Sequence, residues 1–153
     1  SPYRAALAAA DDASAAVVGA LTLEVVGARA LRASFLGSYG EARLVPEVAA
    51  LLPGATGLIK SIAVADTSRG RGVATALVEA GLAALAEQGA ARVYSLAWES
   101  ARDGCLLCGV LTAAGFQTAA RLERFWYADS VAAGYVCPAC GHPCACAARV
   151  MVR

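Results

Sequence analysis

Residues 58–79 constrain the fold of this chain more than any other part of its sequence. An apolar run that includes Ile62 and Val64 meets a short polar turn, then the glycine-rich residues 69–74, and a helical pattern starts directly afterwards. The first N–H groups of a helix have no partner within the helix, and the helix dipole places partial positive charge there. Glycine lets the backbone approach an anion where a Cβ would clash. This order of strand, turn and helix predicts a site for a phosphorylated ligand.

Three kinds of phosphate-binding loop can be compared with residues 69–74, which we call the glycine loop. A P-loop needs a lysine after its last glycine, and here Val73 follows Gly72. A dinucleotide-binding loop needs a third glycine where Thr75 stands. The third pattern is Arg or Gln, any two residues, Gly, any residue, then Gly or Ala, and Arg69, Gly72 and Ala74 match it in full. The alternative is a turn that caps a helix and binds nothing.

This pattern, the Ile-Ala-Val strand end before it and the alanine-rich helix after it resemble the Gcn5-related N-acetyltransferases, the GNAT family. The resemblance covers residues 17–127 approximately. It implies an α/β (α+β) fold with a mixed central β-sheet flanked by helices, and we expect residues 1–153 to form a single GNAT domain. The family usually has a longer segment before the strand that begins at Leu58 than the 57 residues found here. The site for the acetyl acceptor is therefore the part of the domain that this sequence predicts least.

Hydrophobic periodicity predicts the following elements. Strands are expected at residues 17–26, 30–36, 58–65, 93–98, 119–127 and 150–152, the first two as an antiparallel pair. Helices are expected at residues 41–52, 73–88 and 103–114, and the alanine-rich residues 1–14 as helical or frayed. Residues 58–98 then form a strand–helix–strand unit with parallel strands, whose crossover is expected to be right-handed.

The resemblance implies acetyl-CoA as the co-substrate. In the family, the pyrophosphate meets backbone N–H groups of the loop, and the pantetheine arm lies in a wedge between two parallel strands that a bulge splays apart. A backbone N–H near Ile62 or Ala63 would face the thioester oxygen, and such a donor contributes about 3 kcal/mol when well placed. The cofactor-binding residues implied in this chain are Ile62, Ala63, Val64, Arg69, Gly70, Arg71, Gly72, Val73, Ala74 and Thr75.

The implied reaction is transfer of the acetyl group to an amine acceptor, a small molecule or a peptide, by direct attack in a ternary complex. Many family members carry a tyrosine acid where this chain has Leu111, which has no proton to donate. Cys108 and Tyr127 are the candidate acids and Glu99 the candidate base. Each has a structural alternative: apolar packing for Cys108, a half-buried strand position for Tyr127, and a position before a helix for Glu99.

The absence of the usual tyrosine favours a second function, a non-catalytic domain that binds or senses acyl-CoA. Loss of binding on replacing Gly72 would support either acyl-CoA function. A third alternative is a zinc-ribbon module that binds another protein.

A second motif, the cysteine knuckle, occupies residues 135–147. Two cysteines three positions apart followed by glycine are typical of zinc ribbons, and Zn²⁺ prefers four ligands in a tetrahedron. The metal ligands predicted are Cys137, Cys140, Cys144 and Cys146. Three alternatives stay open. His142 replaces one of these ligands, or Cys105 and Cys108 form a split set with Cys137 and Cys140, or the cluster holds no metal. A Zn²⁺ ion bound by four cysteines has no open coordination position, so we expect the zinc to be structural. The knuckle that holds it is expected to form one side of the acceptor pocket.

Charge and composition limit the other functions. A net charge of +1 gives no electrostatic reason for nucleic acid as a partner. The sequence contains no uninterrupted apolar run that predicts a membrane span, and residues 1–4 do not resemble a signal peptide, so we expect a cytoplasmic protein. Lys60 is the only lysine, which together with the many alanines suggests a bacterial, GC-rich genome. Monomer and homodimer both stay open.

Overall fold

A computed structural model describes residues 3–27 and 56–153, and in these ranges the chain forms a six-stranded sheet with helices packed on it. In chain order the elements are β1 (Arg4–Ala10), β2 (Val17–Val26), β3 (Thr56–Val64), α1 (Val73–Glu87), β4 (Arg92–Glu99), α2 (Leu106–Ala113), β5 (Gln117–Leu122), α3 (Tyr127–Ala133) and β6 (Ala147–Val152). The strands are ordered β1-β2-β3-β4-β6-β5. This mixed sheet with flanking helices confirms the predicted fold class.

The direction of the strands follows the predicted strand–helix–strand unit. β3 and β4 are parallel, while all other neighbouring strands in the sheet are antiparallel. Because β3 and β4 point the same way, their last residues, Val64 and Glu99, lie at the same end of the sheet, which we call the carboxyl end. α1 and α2 each follow one of these two strands, so their N-termini lie at the carboxyl end as well.

Two apolar cores hold the sheet, one on each face. The first contains Leu21, Ile59, Leu77 and Leu85 and lies under α1. The second lies on the opposite face and includes Val26, Leu58, Tyr94, Phe125 and Val150. Because the chain uses many small residues, the helices and strands must lie close together to fill both cores.

Gly19 of β2 shows how close this contact is. A Cβ at this position would lie 2.9 Å from Val73 Cγ1 and 3.1 Å from Leu77 Cδ1. Real Cβ atoms essentially never show a contact as short as 2.9 Å, and 3.1 Å is tighter than most real Cβ contacts. The glycine therefore lets the first turns of α1, and with them the glycine loop, lie directly on β2.

The N-terminal prediction was wrong. Residues 4–10 form β1 rather than a helical or frayed segment, and they pair antiparallel with β2 from Arg4↔Glu24 to Ala10↔Val17. Alternate residues of β1 are half-buried, among them Ala5, Leu7 and Ala9, which pack against the core under α1. Alanine has high helix propensity, but strand pairing and burial outweigh that preference here.

The predicted partner strand for β2, residues 30–36, and the predicted helix at residues 41–52 both lie outside the described residues. Among the described strands, the antiparallel neighbours of β2 are β1 and β3. None of the helices that the structure describes is long and apolar enough to cross a membrane.

Several elements after β4 differ from the prediction: α3 was not expected, and β6, expected from residue 150, begins at Ala147. The helix expected from residue 103 begins at Leu106, because Ser100 Oγ accepts from the Asp103 N–H and Gly104 pairs with Ser100 in a tight turn. The strand expected to run to residue 127 ends at Leu122. Arg124 has a positive φ of 50°, which breaks the extended backbone, and Tyr127 then begins α3.

Candidate cofactor site and cysteine cluster

A wedge opens between the two parallel strands at the carboxyl end. The β3–β4 ladder runs from Thr56↔Arg92 to Ile59↔Ser95 and ends there. Residues 60–64 continue along β2, and residues 96–99 continue along β6, so each strand keeps one neighbour in the described sheet. Among the described strands, none pairs with the backbone on these two facing sides. An extended ligand with amide groups can pair with such an edge as an added strand does.

A β-bulge causes the separation. The β2–β3 register passes from Thr22↔Ser61 to Leu23↔Ile59, so Lys60 is an extra residue in β3. A bulge bends the strand that carries it and increases its local twist. Here the bend turns residues 61–64 away from β4, and these residues include Ile62, Ala63 and Val64.

The glycine loop lies directly beyond the wedge. β3 ends at Val64, a short 3₁₀ turn covers Asp66–Ser68, and α1 begins at Val73 with Gly72 as its N-cap. Gly70 and Gly72 have φ values of 72° and 80°, a conformation that other residues rarely adopt. The space where a Cβ would lie is open at both positions.

The start of α1 has free backbone donors. No side chain caps this helix end, and the first intrahelical bond from this turn runs from the Ala76 N–H to Gly72 O. The N–H groups of Val73, Ala74 and Thr75 precede that bond and point out of the helix end. Together with the dipole of α1, they make a site suited to a phosphate group.

Two arginines contribute charge to this loop. Arg69 is held by an ion pair to Asp66 at 3.0 Å and donates to Val64 O at 3.4 Å. Arg71 lies near Asp11, whose pKa is lowered mainly by the Ser14 backbone N–H and also by this guanidinium. Both arginine side chains remain exposed, so they are accessible to an anion in the loop.

The candidate acids lie in different surroundings. Leu111 is fully buried in the core, so the position of the usual family acid holds an apolar side chain. Cys108 forms a disulfide with Cys105, and a disulfide sulfur has no proton to donate. Tyr127 lies at the start of α3 rather than on a strand, with the Arg124 guanidinium 4.0 Å from its ring centre. Of these three positions, only Tyr127 carries a side chain with a proton to donate.

Glu99, the candidate base, ends β4 beside the wedge and is engaged by two arginines. Its carboxylate accepts from Arg121 at 2.6 Å and also from Arg149. The Arg149 hydrogen bond, opposed by partial burial and assisted by Arg121, lowers the pKa of the Glu99 carboxyl. A carboxylate held ionised in this way is a weak proton acceptor. This geometry supports a role in joining β4, β5 and β6, which sequence reasoning missed because the arginines are distant in sequence.

The four knuckle cysteines come together as predicted. All four Sγ atoms lie within 4.8 Å of one another, and no disulfide joins them. The sulfur–sulfur distances are 3.8 Å for Cys137–Cys146, 3.8 Å for Cys140–Cys144 and 3.5 Å for Cys140–Cys146. A tetrahedron with Zn–S bonds of about 2.3 Å has sulfur–sulfur edges of about 3.8 Å. The residues present therefore fit a Zn²⁺ ion.

Backbone groups shape the cluster. The backbone of Cys137 exchanges two hydrogen bonds of 2.9 Å with Gly141, whose φ is 83°. Burial opposes ionisation of Cys137, but the Ala139 and Cys140 N–H groups outweigh it, and the pKa of this thiol falls to about 7. The Ala145 N–H lies 3.2 Å from Cys140 Sγ. Such N–H donors stabilise thiolate ligands and orient them toward a metal.

The cluster is attached to the rest of the fold by two contacts that the sequence did not reveal. Ser130 of α3 is fully buried, and its hydroxyl accepts from the Cys144 N–H at 2.8 Å and donates to Tyr127 O at 2.8 Å. Burial raises the pKa of the Cys146 thiol, and the nearby Ala101 N–H and Trp98 side chain oppose this effect. The second contact joins the cysteine knuckle to the end of β4 at the wedge.

The alternative ligand sets are not formed. His142 Nδ1 lies 3.0 Å from Tyr135 O and is outside the cluster of four sulfurs. The split set is excluded in this structure because Cys105 and Cys108 are bonded to each other.

Residues 4–105 match the family model described as the acetyltransferase (GNAT) family. A search of curated proteins gave no match.

Among solved structures, Arabidopsis thaliana NAA60 in complex with acetyl-CoA is similar over 98% of this chain and 75% of that one, with 19% identity and a TM-score of 0.62. Chaetomium thermophilum Naa20 in complex with a bisubstrate analogue is similar over 95% and 63%, with 14% identity and a TM-score of 0.64. Mosquito arylalkylamine N-acetyltransferase like 5b is similar over 97% and 73%, with 12% identity and a TM-score of 0.65. At these identities the likeness is one of fold.

Proposed function

Because the chain belongs to the acetyltransferase (GNAT) family, we propose that it transfers the acetyl group of acetyl-CoA to an amine. One observation carries this proposal: the wedge and the glycine loop lie at the same end of the sheet. The loop can hold the pyrophosphate through the N–H groups of Val73, Ala74 and Thr75, with Arg69, Gly70, Arg71 and Gly72 around it. The pantetheine arm then pairs with Ile62, Ala63 and Val64.

The proposed chemistry is direct attack in a ternary complex. The amine nitrogen attacks the thioester carbonyl, the carbonyl electrons move to oxygen, and collapse of the tetrahedral intermediate releases the CoA thiolate. The backbone N–H of Ile62 or Ala63 would stabilise the oxyanion, and holding both reactants in the wedge supplies much of the rate. The groups that move protons stay predictions: Tyr127 is the candidate acid and Glu99 the candidate base, while Cys108 could donate a proton only after reduction of its disulfide with Cys105.

We propose that the acceptor approaches from the sheet face opposite α1. Trp98 lies on the stretch of β4 that borders the wedge, and 44% of its surface is exposed, which is unusual for a tryptophan in a strand. An exposed aromatic side chain beside the reacting carbonyl suits an apolar or aromatic amine. This fits a small arylalkylamine or a peptide better than a strongly cationic acceptor.

We also propose that Cys137, Cys140, Cys144 and Cys146 hold a structural Zn²⁺. The sulfur–sulfur distances given above support this, and Trp98 lies near Cys146, so we propose that the metal also steadies the acceptor side of the wedge. The cysteine knuckle belongs to the same domain in this proposal, because β6, which follows it, lies between β4 and β5. A cytoplasmic location and a bacterial source stay predictions.

The test has two stages on one preparation. Isothermal calorimetry with acetyl-CoA should give binding in the micromolar range, and CoA release should then be measured with a panel of arylalkylamines and peptides. Binding with turnover supports the proposal, and the preferred amine tests the role of Trp98. Binding without turnover across the panel would instead favour the acyl-CoA-binding domain that the loss of the usual tyrosine suggested. No binding would refute the proposal.

A further inference from the structure

The disulfide between Cys105 and Cys108 has no part in the proposed acetyl transfer. Cys105 is the N-cap of α2, and Cys108 lies in the first turn of the same helix. Both residues are half-buried, and Leu106 between them is 73% exposed. A small thiol can therefore approach the pair from solvent.

A tight turn brings this disulfide to the wedge. Ser100, the first residue after β4, exchanges two backbone hydrogen bonds with Gly104, of 2.9 and 3.1 Å. Because Cys105 follows Gly104 directly, it lies beside the end of β4, which is one wall of the wedge. α2 also packs against α1 on the same face of the sheet. The disulfide thus lies at the end of the sheet where the glycine loop and the proposed thioester site are found.

We propose that the Cys105–Cys108 disulfide exchanges with the thiol of CoA, the product of acetyl transfer; this inference rests on the proposed function. The CoA thiolate attacks one protein sulfur, a new sulfur–sulfur bond to CoA forms, the Cys105–Cys108 bond breaks, and the other cysteine leaves as a thiolate. A thiolate at a helix N-terminus is stabilised by the dipole, which favours this leaving group. In reverse, the freed thiolate expels CoA and restores the disulfide.

Binding in the glycine loop should make CoA a better partner than other thiols. A bound cofactor holds its thiol near the disulfide at a high effective concentration, whereas glutathione has no phosphate with which to bind the loop. The mixed disulfide would keep CoA in its own site and exclude acetyl-CoA. The chain would then stop turning over when free CoA accumulates under oxidising conditions.

Single-cysteine variants give the sharpest test, since the partner thiol that would resolve the adduct is missing. Reduced Cys108→Ser and Cys105→Ser proteins are each treated with CoA disulfide or with glutathione disulfide at equal concentration. Mass spectrometry without reductant measures the adduct, and peptide mapping locates it. We expect at least one variant to form the CoA adduct tenfold or more faster than the glutathione adduct, on Cys105 or Cys108. Acetyl-CoA should slow the CoA adduct, and adding Gly72→Glu should remove the preference.

The outcomes separate this inference from the proposed function when acetyl-CoA binding is measured on the same samples. If acetyl-CoA binds but CoA and glutathione react equally fast in both variants, the inference is wrong and the proposed function stands. Adducts confined to the cysteine knuckle would overturn the inference in the same way. If acetyl-CoA does not bind to the wild-type protein, the proposed function fails and the inference falls with it.

Discussion

Ile59 lies opposite Ser95 in the last pair of the β3–β4 ladder, and from this pair onward the two strands separate. The extra residue Lys60 follows Ile59 immediately, so the bulge and the start of the wedge coincide. The wedge is therefore set by one inserted residue in the β2–β3 register. The glycine loop follows shortly after the end of the same strand, which is why both parts of the proposed cofactor site lie together.

Gly72→Glu should abolish binding of acetyl-CoA. The new carboxylate would stand at the N-cap of α1, where the proposed pyrophosphate lies, and like charges would repel. We expect a loss of affinity of at least about 100-fold, or about 2.8 kcal/mol, by calorimetry. Gly89→Glu is the matched control, because Gly89 has a φ of 76°, close to the 80° of Gly72, and lies beyond the other end of α1. Equal affinities in the two variants would refute the loop as the site.

Gly19→Ala should destabilise the fold and weaken cofactor binding together. Its Cβ would crowd the Val73 and Leu77 side chains, so these side chains, or α1 itself, must shift away from β2. Overpacking of this kind costs about 1–3 kcal/mol of unfolding free energy. Gly109→Ala is the opposite case, since Gly109 lies within α2 with open space around it, and should be neutral or stabilising by up to about 1 kcal/mol. Urea denaturation of both variants measures this, and an unchanged Gly19→Ala protein would contradict the close packing.

Glu99→Gln should lower stability in a pH-dependent way. The pKa of Glu99 in the folded protein is depressed below its ordinary value of 4.5, chiefly by Arg149. Such a group stabilises the fold above its unfolded pKa, and this contribution is lost as the pH falls through the lower, folded value. We expect a loss of about 1–3 kcal/mol at pH 7. The difference from wild type should shrink below pH 4.5, whereas Glu79→Gln, an exposed control on α1, should have little effect.

The same variant tests the predicted base. If Glu99 only joins β4, β5 and β6, the pH profile of kcat/KM keeps its shape in Glu99→Gln. Loss of the acidic limb of that profile, with stability unchanged, would restore the base role and contradict the ion-pair role.

Cys140→Ser should remove zinc and reduce thermal stability. Cys140 supplies one of four proposed ligands, and a tetrahedral Zn²⁺ site rarely survives the loss of one. Metal analysis should find about one zinc per chain in the wild type and much less in the variant. Cys105→Ser is the control, because Cys105 lies outside the cluster of four sulfurs, and it should retain its zinc. Unchanged zinc in Cys140→Ser would refute the assignment.

Local pattern was enough to predict much of this fold. The bounds of β2 were predicted to the residue, and those of α1 to within one residue at its end, since their apolar periodicity is strong. β1 could not be predicted, because its alanines favour a helix in isolation and only pairing with β2 makes them a strand. The arginines at Glu99 and the hydroxyl of Ser130 were equally hidden, since they come from strands and helices far away in sequence.

The sequence by itself determined the glycine loop, the cysteine spacing and the family resemblance, because each depends on residues a few positions apart whose chemistry and backbone geometry are local. Only the tertiary structure decided what each side chain near the wedge can do. Cys108 is a disulfide partner, Glu99 accepts hydrogen bonds from two arginines, and Trp98 is an exposed side chain near the cysteine knuckle. These roles depend on which strands become neighbours, and that is fixed by burial and pairing over the whole sheet.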